Sequence, residues 1–253
     1  MVTARPRCVG MVRCVNRASF VPPPWLGATV IGAARRFRWR RTRAFEALGS
    51  RRFSATAQHG MDRWIAGRVG RSGYFIEAGA NDGYRMSNTY LLERHYGWTG
   101  LLVEPIPVLA AACAARRPHS VTAACALVGH DYAGEIVEIQ YADGESAIGR
   151  DVGEGWSLGA RWGIESTYAL NVPARTLTSL LDEIGAPSRP NLLSLDVEGY
   201  EPQVLAGLDF DRYAPRFVLL EDSAEGLADY GPEIMDRYKL LHRFPGNLLF
   251  EHV

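Results

Sequence analysis

From about residue 61 the apolar positions fall into short blocks that alternate between helical and strand spacing. Met61–Val69 sets Trp64, Ile65 and Val69 on one side at helical spacing. Tyr74–Gly83 (YFIEAGANDG) is an apolar, strand-favouring run that meets an acid, then a loop with glycines at 79 and 83. Ser87–Arg94 reads as a helix with Leu91 and Leu92 inward. Thr99–Glu104 is a second strand closed by an acid and Pro105. An alanine-rich helix, Val108–Arg117, stops at Pro118. Ser120–Val128 is a third strand, and Ile136–Tyr141 a fourth that alternates apolar and polar positions. Asp143–Asn171 then breaks the rhythm with six glycines and two tryptophans, Trp156 and Trp162. A loop of that length is a lid or binding loop, or is disordered.

Regular spacing returns with a strand at Val172–Arg175, a helix at Thr178–Ile184 and a turn at Pro187–Pro190. Asn191–Asp196 is a buried strand ending in an acid. A helix covers Pro202–Ala206, another buried strand Phe217–Glu221, and a further helix Pro232–Tyr238. Tyr238–Phe244 and Leu248–Val253 flank Pro245-Gly246-Asn247 and read as a terminal antiparallel hairpin. Strands alternating with helices imply βαβ units and a mostly parallel sheet with helices on both faces.

Charge changes the picture of the first 53 residues. The 253-residue chain is formally neutral, but residues 1–53 hold twelve arginines and one acid, Glu46. The remaining 16 basic and 27 acidic residues leave 54–253 near −11, an acidic globule behind a basic arm. An acidic globule does not suit a nucleic-acid face, which needs concentrated Lys and Arg. The arm is Arg-rich, contains prolines and is short of acids, and is expected to be a poorly ordered extension. Two other readings stand beside this one: a basic helix at 34–48 for a membrane surface or partner, and an organelle-targeting peptide. Its apolar run Trp25–Ala34 is shorter than the roughly 20 residues that span a bilayer. Cys8, Cys14, Cys113 and Cys125 form no CxxC pair, so neither a disulfide framework nor a zinc site is expected, and a reducing cytoplasm fits. The organisation expected is therefore an extension, 1–53, and a single domain, 54–253, with 143–171 as its variable lid or substrate loop.

Glu77, Glu104, Asp196 and Glu221 all fall at or beside carboxyl ends of strands, where open α/β sheets bind ligands. The loop after the first strand separates the cofactors. A dinucleotide fingerprint would put glycines at 79, 81 and 84, but the chain has Gly79, Asn81 and Tyr84, and no Walker lysine follows. An NAD-type oxidoreductase is accordingly a weak reading. Glu77 suits a cationic amine better than a phosphate, such as the aminoacyl end of S-adenosylmethionine. Glu104 can take two ribose hydroxyls on its two oxygens.

Four segments carry a family resemblance: Tyr74–Gly83, Leu101–Pro107 (LLVEPIP), Val172–Leu181 (VPARTLTSLL) and Leu192–Leu208 (LLSLDVEGYEPQVLAGL). In this order they resemble the FkbM family of S-adenosylmethionine-dependent methyltransferases, and the likeness runs from about residue 56 to the C-terminus. It implies a class I methyltransferase (Rossmann-like) α/β fold, a seven-stranded sheet whose last strand is antiparallel. It also implies methyl transfer to a hydroxyl of a sugar or polyketide-type metabolite. Carried over by position, Glu77, Gly79, Asn81 and Gly83 would line the methionine end of the cofactor. Glu104 would hold the ribose, Pro105 and Ile106 would flank the adenine, and Cys125 and Ala126 would approach its edge. Glu77 stands where many relatives have Asp, and the arm lies outside the resemblance.

A hydroxyl is a weak nucleophile, so transfer calls for a base or a metal. Asp196 and Glu198 are the candidates for the catalytic role. With Glu221 and Asp222 they could also hold a divalent cation through oxygens, although none is expected. Against both stands a structural role bracing the turn before Pro202. Ser87 and Asn88 read as helix caps that could touch the cofactor carboxylate. Trp156, Trp162 and Tyr168 could stack on an acceptor or pack a lid. His130 and His242 read as surface or packing residues. A protein that binds cofactor or a partner without turnover is the alternative from another class.

Overall fold

The computed structural model describes residues 44–142, 145–148, 168–222 and 230–253. The chain divides after Ala55. In the first unit a helical turn at Arg51–Ser54 brings Phe53 to stack on Phe45 at 5.2 Å, and Ser54 Oγ donates to the buried Glu46. The three readings of the basic arm fall mainly on residues 1–43, outside the described residues.

The second unit follows the strand–helix alternation of the sequence. Its elements are α1 (Met61–Val69), β1 (Tyr74–Ala78), α2 (Tyr90–Tyr96), β2 (Thr99–Val103), α3 (Pro107–Arg116), β3 (Val121–Ala123), β4 (Ala126–Leu127), β5 (Ile136–Ala142) and β6 (Glu145–Ile148). They continue with β7 (Tyr168–Arg175), α4 (Leu177–Ile184), β8 (Leu192–Leu195), α5 (Glu201–Ala206), β9 (Phe217–Glu221), α6 (Pro232–Met235), β10 (Tyr238–Phe244) and β11 (Asn247–His252). Seven strands form the main sheet in the order β10-β11-β9-β8-β1-β2-β3. β3, β2, β1, β8 and β9 are mutually parallel, and β11 runs antiparallel to both β9 and β10. This is the class I methyltransferase arrangement, with helices on both faces and the antiparallel strand in the C-terminal hairpin.

The topology fixes where a ligand can enter. The chain starts at β1, winds outward to β3, and returns to the other side of β1 through β8. Strand order reverses between β1 and β8, and the crevice beyond their carboxyl ends is the expected ligand position. Their register pairs Glu77 with Ser194 and Ala78 with Leu195.

Both faces of the sheet are buried, so its parallel strands are nearly continuous apolar runs. On one face Ile76, Ala78, Leu101, Val103, Leu193 and Leu195 pack with Leu177, Leu180 and Leu181 of α4 and Val204 and Leu205 of α5. α4 sits on this face because its apolar residues recur at helical spacing between two firm ends. The Thr176 side chain accepts from the Ser179 N–H, and Gly185 closes the helix in the left-handed conformation. The other face carries Phe75 and Leu102. Strand alternation puts Glu77 there too, an acid under a buried surface.

Three segments depart from the sequence expectation. The apolar run 120–128 is two strands. β3 ends the main sheet, with Glu104 N–H donating to Ala123 O, and β4 crosses to pair with β7 in a second sheet ordered β4-β7-β5-β6. Apolar content is the same on both sides of the crossing, so no pattern marks the change of partner. The irregular stretch 143–171 is in part strand: β6 pairs with β5, and β7 begins at Tyr168, four residues before its expected start. Residues 149–167, with Trp156 and Trp162, lie outside the described residues, as does the Tyr168 side chain. Finally, α2 begins at Tyr90 rather than Ser87, because residues 87–89 are held by the Glu77 carboxylate instead of by helical bonds.

Candidate functional site

The Glu77 carboxylate, 4 % exposed at the end of β1, organises the first wall. Its Oε2 accepts from Ser87 Oγ at 2.9 Å and Thr89 Oγ1 at 2.5 Å, and its Oε1 accepts from the Asn88 N–H at 2.7 Å. Arg117, which follows α3, brings a guanidinium nitrogen to 3.6 Å from Oε2 and pairs with Glu93 at 2.8 Å. The same guanidinium donates to Gly83 O, Ser87 Oγ and Thr89 Oγ1 and lies over the Phe75 ring. A buried ion pair of this kind is sustained only when the remaining donors and acceptors are satisfied, as they are here. Ser87 in turn accepts the Thr89 and Tyr90 N–H groups, so it caps α2.

The loop after β1 crosses that wall at close range. Gly79 has φ +79°, and a Cβ there would lie 1.8 Å from Asp196 O. The β1 and β8 loops can approach this closely only because residue 79 lacks a side chain. At Gly83, φ +75°, a Cβ would meet Cys113 Sγ at 2.8 Å, so this glycine fits the loop against α3. Between them Asn81, at φ +49°, directs its N–H to Glu104 Oε2 at 2.7 Å. Ile106 N–H reaches the other oxygen, Oε1, at 2.9 Å. Burial pushes the Glu104 carboxyl up to about 7, against the two N–H bonds, with Asp82 adding in the same direction.

The opposite wall is the 194–201 motif. The Asp196 N–H donates to Ala78 O at 3.2 Å, and Glu201, buried at the start of α5, accepts the Val197 N–H at 2.9 Å. Glu198 and Gly199 turn the chain at φ +57° and +86°. Asp196 is half-buried, and its carboxyl is pushed up to about 6 by desolvation, then by the charges of Glu201 and Glu77.

These walls enclose an open-mouthed cavity beyond the carboxyl ends of β1 and β8, the position where sheets of this kind take ligands. Of the residues singled out by sequence, Glu77, Gly79, Asn81, Glu104, Ile106, Asp196 and Glu198 line it. Gly83, Pro105, Cys125 and Ala126 do not; Ala126 packs behind the wall in one cluster with Ile106. Arg85, Met86, Leu109 and Ser194 also line it and had no sequence signal strong enough to single them out. Asn88 lines it as well, but its side chain is no helix cap: Nδ2 donates to Ser194 Oγ at 3.0 Å. Asn81, Met86 and Glu198 are three of the five non-glycine residues with positive φ among the described residues. Such conformations are costly and gather at functional sites.

The other candidates lie elsewhere. Glu221 ends β9, where its carbonyl accepts from Tyr230, and it does not line the cavity. His130 is exposed, and His242 stacks on Trp64 at 4.6 Å. Among the described residues no three His, Cys, Asp or Glu side chains gather into a metal site, and no helix is long and apolar enough to cross a membrane.

Four acids and one arginine, Arg85, supply the charge on the lining, which favours a cationic ligand. A model of the methyltransferase FkbM domain matches residues 77–240. The chain is similar to a solved TehB-like SAM-dependent methyltransferase from Corynebacterium glutamicum, at 13 % identity over 87 % of this chain and 99 % of that one, with a TM-score of 0.40. No curated protein sequence matches.

Proposed function

Because the chain belongs to the FkbM methyltransferase family and is an S-adenosylmethionine-dependent methyltransferase, we propose that it methylates a hydroxyl oxygen on a small acceptor of the sugar or glycolipid class. The cofactor supplies a sulfonium-bound methyl group open to in-line attack. The residues present fit it. The acidic lining complements a sulfonium and an ammonium. Each Glu104 oxygen holds one backbone N–H and keeps a lone-pair direction for a ribose hydroxyl. Ile106 and Leu109 offer an apolar wall for adenine. Gly79 and Asn81 shape the backbone beneath the methionine end, and Gly83 seats that loop on α3.

The observation that carries the choice of oxygen is Asp196. Its carboxylate stands on the cavity wall at the end of β8, and burial pushes it up to about 6. A base with that affinity is ionised at neutral pH yet proton-hungry enough to assist a hydroxyl. We assign Asp196 as the base, with Glu198 beside it facing the acceptor. The acceptor is a small molecule and not a nucleic acid, whose phosphates an acidic lining would repel. The buried Cys113 and Cys125 thiols fit a reducing cytoplasm.

The test is a screen of hydroxylated metabolites with labelled methyl donor, followed by identification of the methylated atom. A methyl ether is expected. Asp196→Asn should lower turnover about 100-fold or more and leave cofactor affinity within roughly threefold. Methylation at nitrogen or carbon, or an Asp196→Asn loss confined to cofactor affinity, would overturn the proposal.

A further inference from the structure

One residue of the cavity wall carries an atom with no role in the site so far. Asn88 is 4 % exposed, and its Oδ1 finds no hydrogen-bond partner. A buried amide oxygen left unmet is costly, and native proteins rarely keep one without a use. In the observed rotamer the oxygen, not the nitrogen, is the spare end of the Asn88 amide. The residue's backbone N–H is fixed to Glu77 Oε1, and its Nδ2 is spent on Ser194 Oγ. These two bonds, to β1 and to the adjacent β8, fix the side chain at the cavity wall.

Glu77 is the acid the sequence offers for the cofactor's ammonium, yet its carboxylate already serves three hydrogen bonds and the Arg117 guanidinium. We propose that Asn88 Oδ1 is the acceptor for the ammonium of the cofactor's amino-acid end, with Ser194 as its positioning residue and Glu77 holding the loop that carries it. The proposal rests on the cofactor assignment above. An amide oxygen in an acidic lining suits a cationic donor: it accepts a proton-bearing group without adding another charge that must be desolvated.

The experiment is titration calorimetry of the intact protein with three ligands. S-adenosylhomocysteine carries the whole amino-acid end, its decarboxylated analogue keeps the ammonium alone, and 5′-methylthioadenosine has neither group. Asn88→Leu keeps the backbone N–H to Glu77 and removes the acceptor. It should weaken S-adenosylhomocysteine and the decarboxylated analogue by 10- to 100-fold and leave methylthioadenosine within twofold. Asn88→Asp retains an acceptor oxygen, and the Ser194 hydroxyl can donate to the other. It should hold the ammonium-bearing ligands within threefold of the wild type, and it decides the matter if Asn88→Leu fails to fold. Equal losses for all three ligands would make Asn88 a loop support and overturn the proposal. A loss seen with S-adenosylhomocysteine but not with the decarboxylated analogue would assign Asn88 to the carboxylate, and overturn it too. Wild-type protein that binds none of the three would refute the cofactor assignment itself.

Discussion

Replacing Glu104 with Gln should change stability and cofactor affinity in opposite ways with pH. Burial raises the Glu104 carboxyl from 4.5 to about 7. Between those values the folded protein keeps a proton that the unfolded chain releases, so the folded state binds more protons and its stability falls as pH rises. The contribution is whole below the unfolded value near 4.5 and is lost as pH passes through about 7. At about 1.4 kcal/mol per pH unit, that window amounts to about 3 kcal/mol. Gln cannot ionise, so the variant lacks this component. It gains a constant cost of about 1–3 kcal/mol, because its amide group can accept only one of the two N–H groups that Asn81 and Ile106 present. The variant should therefore be the less stable protein at pH 5, and the difference should move by about 2.5 kcal/mol in its favour by pH 8, which closes or reverses it. Urea denaturation of both proteins at the two pH values and fixed ionic strength measures this directly. Asp196 titrates in the same range but is common to both proteins and cancels. Binding runs the other way: ribose hydroxyls donate into the ionised carboxylate, so wild-type affinity for S-adenosylhomocysteine should rise from pH 6 to 8. The variant should bind about 10- to 100-fold more weakly at pH 8, the loss of about 1.5–3 kcal/mol of hydrogen bonding to a charged group. A stability gap that does not move with pH would refute the account of burial, and unchanged affinity would refute the ribose contact.

Two further substitutions probe the frame of the site. Arg117→Met leaves Glu77 and Glu93 buried without their shared cation, and should cost about 3–5 kcal/mol in denaturant unfolding; a loss under 1 kcal/mol would mean the network is carried by its hydroxyl donors. Gly79→Ala sets a Cβ 1.8 Å from Asp196 O at φ +79°. It should lose roughly 1–3 kcal/mol from the backbone conformation alone, with more from the clash, and give up cofactor binding with it. A variant that melts and binds like the wild type would show that the β1 and β8 loops can separate freely.

Glu77 illustrates how the site is built in layers. Its charge is spent inside the protein, tying β1 to residues 87–89 and to Arg117. Glu104 and Asp196 hold their carboxyls at the cavity with fewer protein partners, and burial raises both. The acid that the sequence offers to the cofactor's amine is thus the one most committed to the fold.

The sequence by itself determined the α/β class, the parallel core and the C-terminal hairpin, because periodicity and strand-end turns are local properties of the chain. It also put Gly79 in a sharp loop beside a ligand crevice, and it placed acids at the ends of β1, β2 and β8. The tertiary structure alone decided which of those acids face the cavity. Glu221 ends a strand of the same sheet, yet it lies away from the switch point between β1 and β8. Strand order is a long-range property that no local pattern encodes. The same holds for β4, whose residues continue an apolar run but pair in a second sheet. Asn88 reads as a helix cap in the sequence. Only the meeting of the α2 loop with Ser194, 106 residues further on, turns its amide into an unfilled acceptor on the cavity wall. Hydrogen-bond satisfaction depends on every neighbour in space, and a chain of residue types does not list those neighbours.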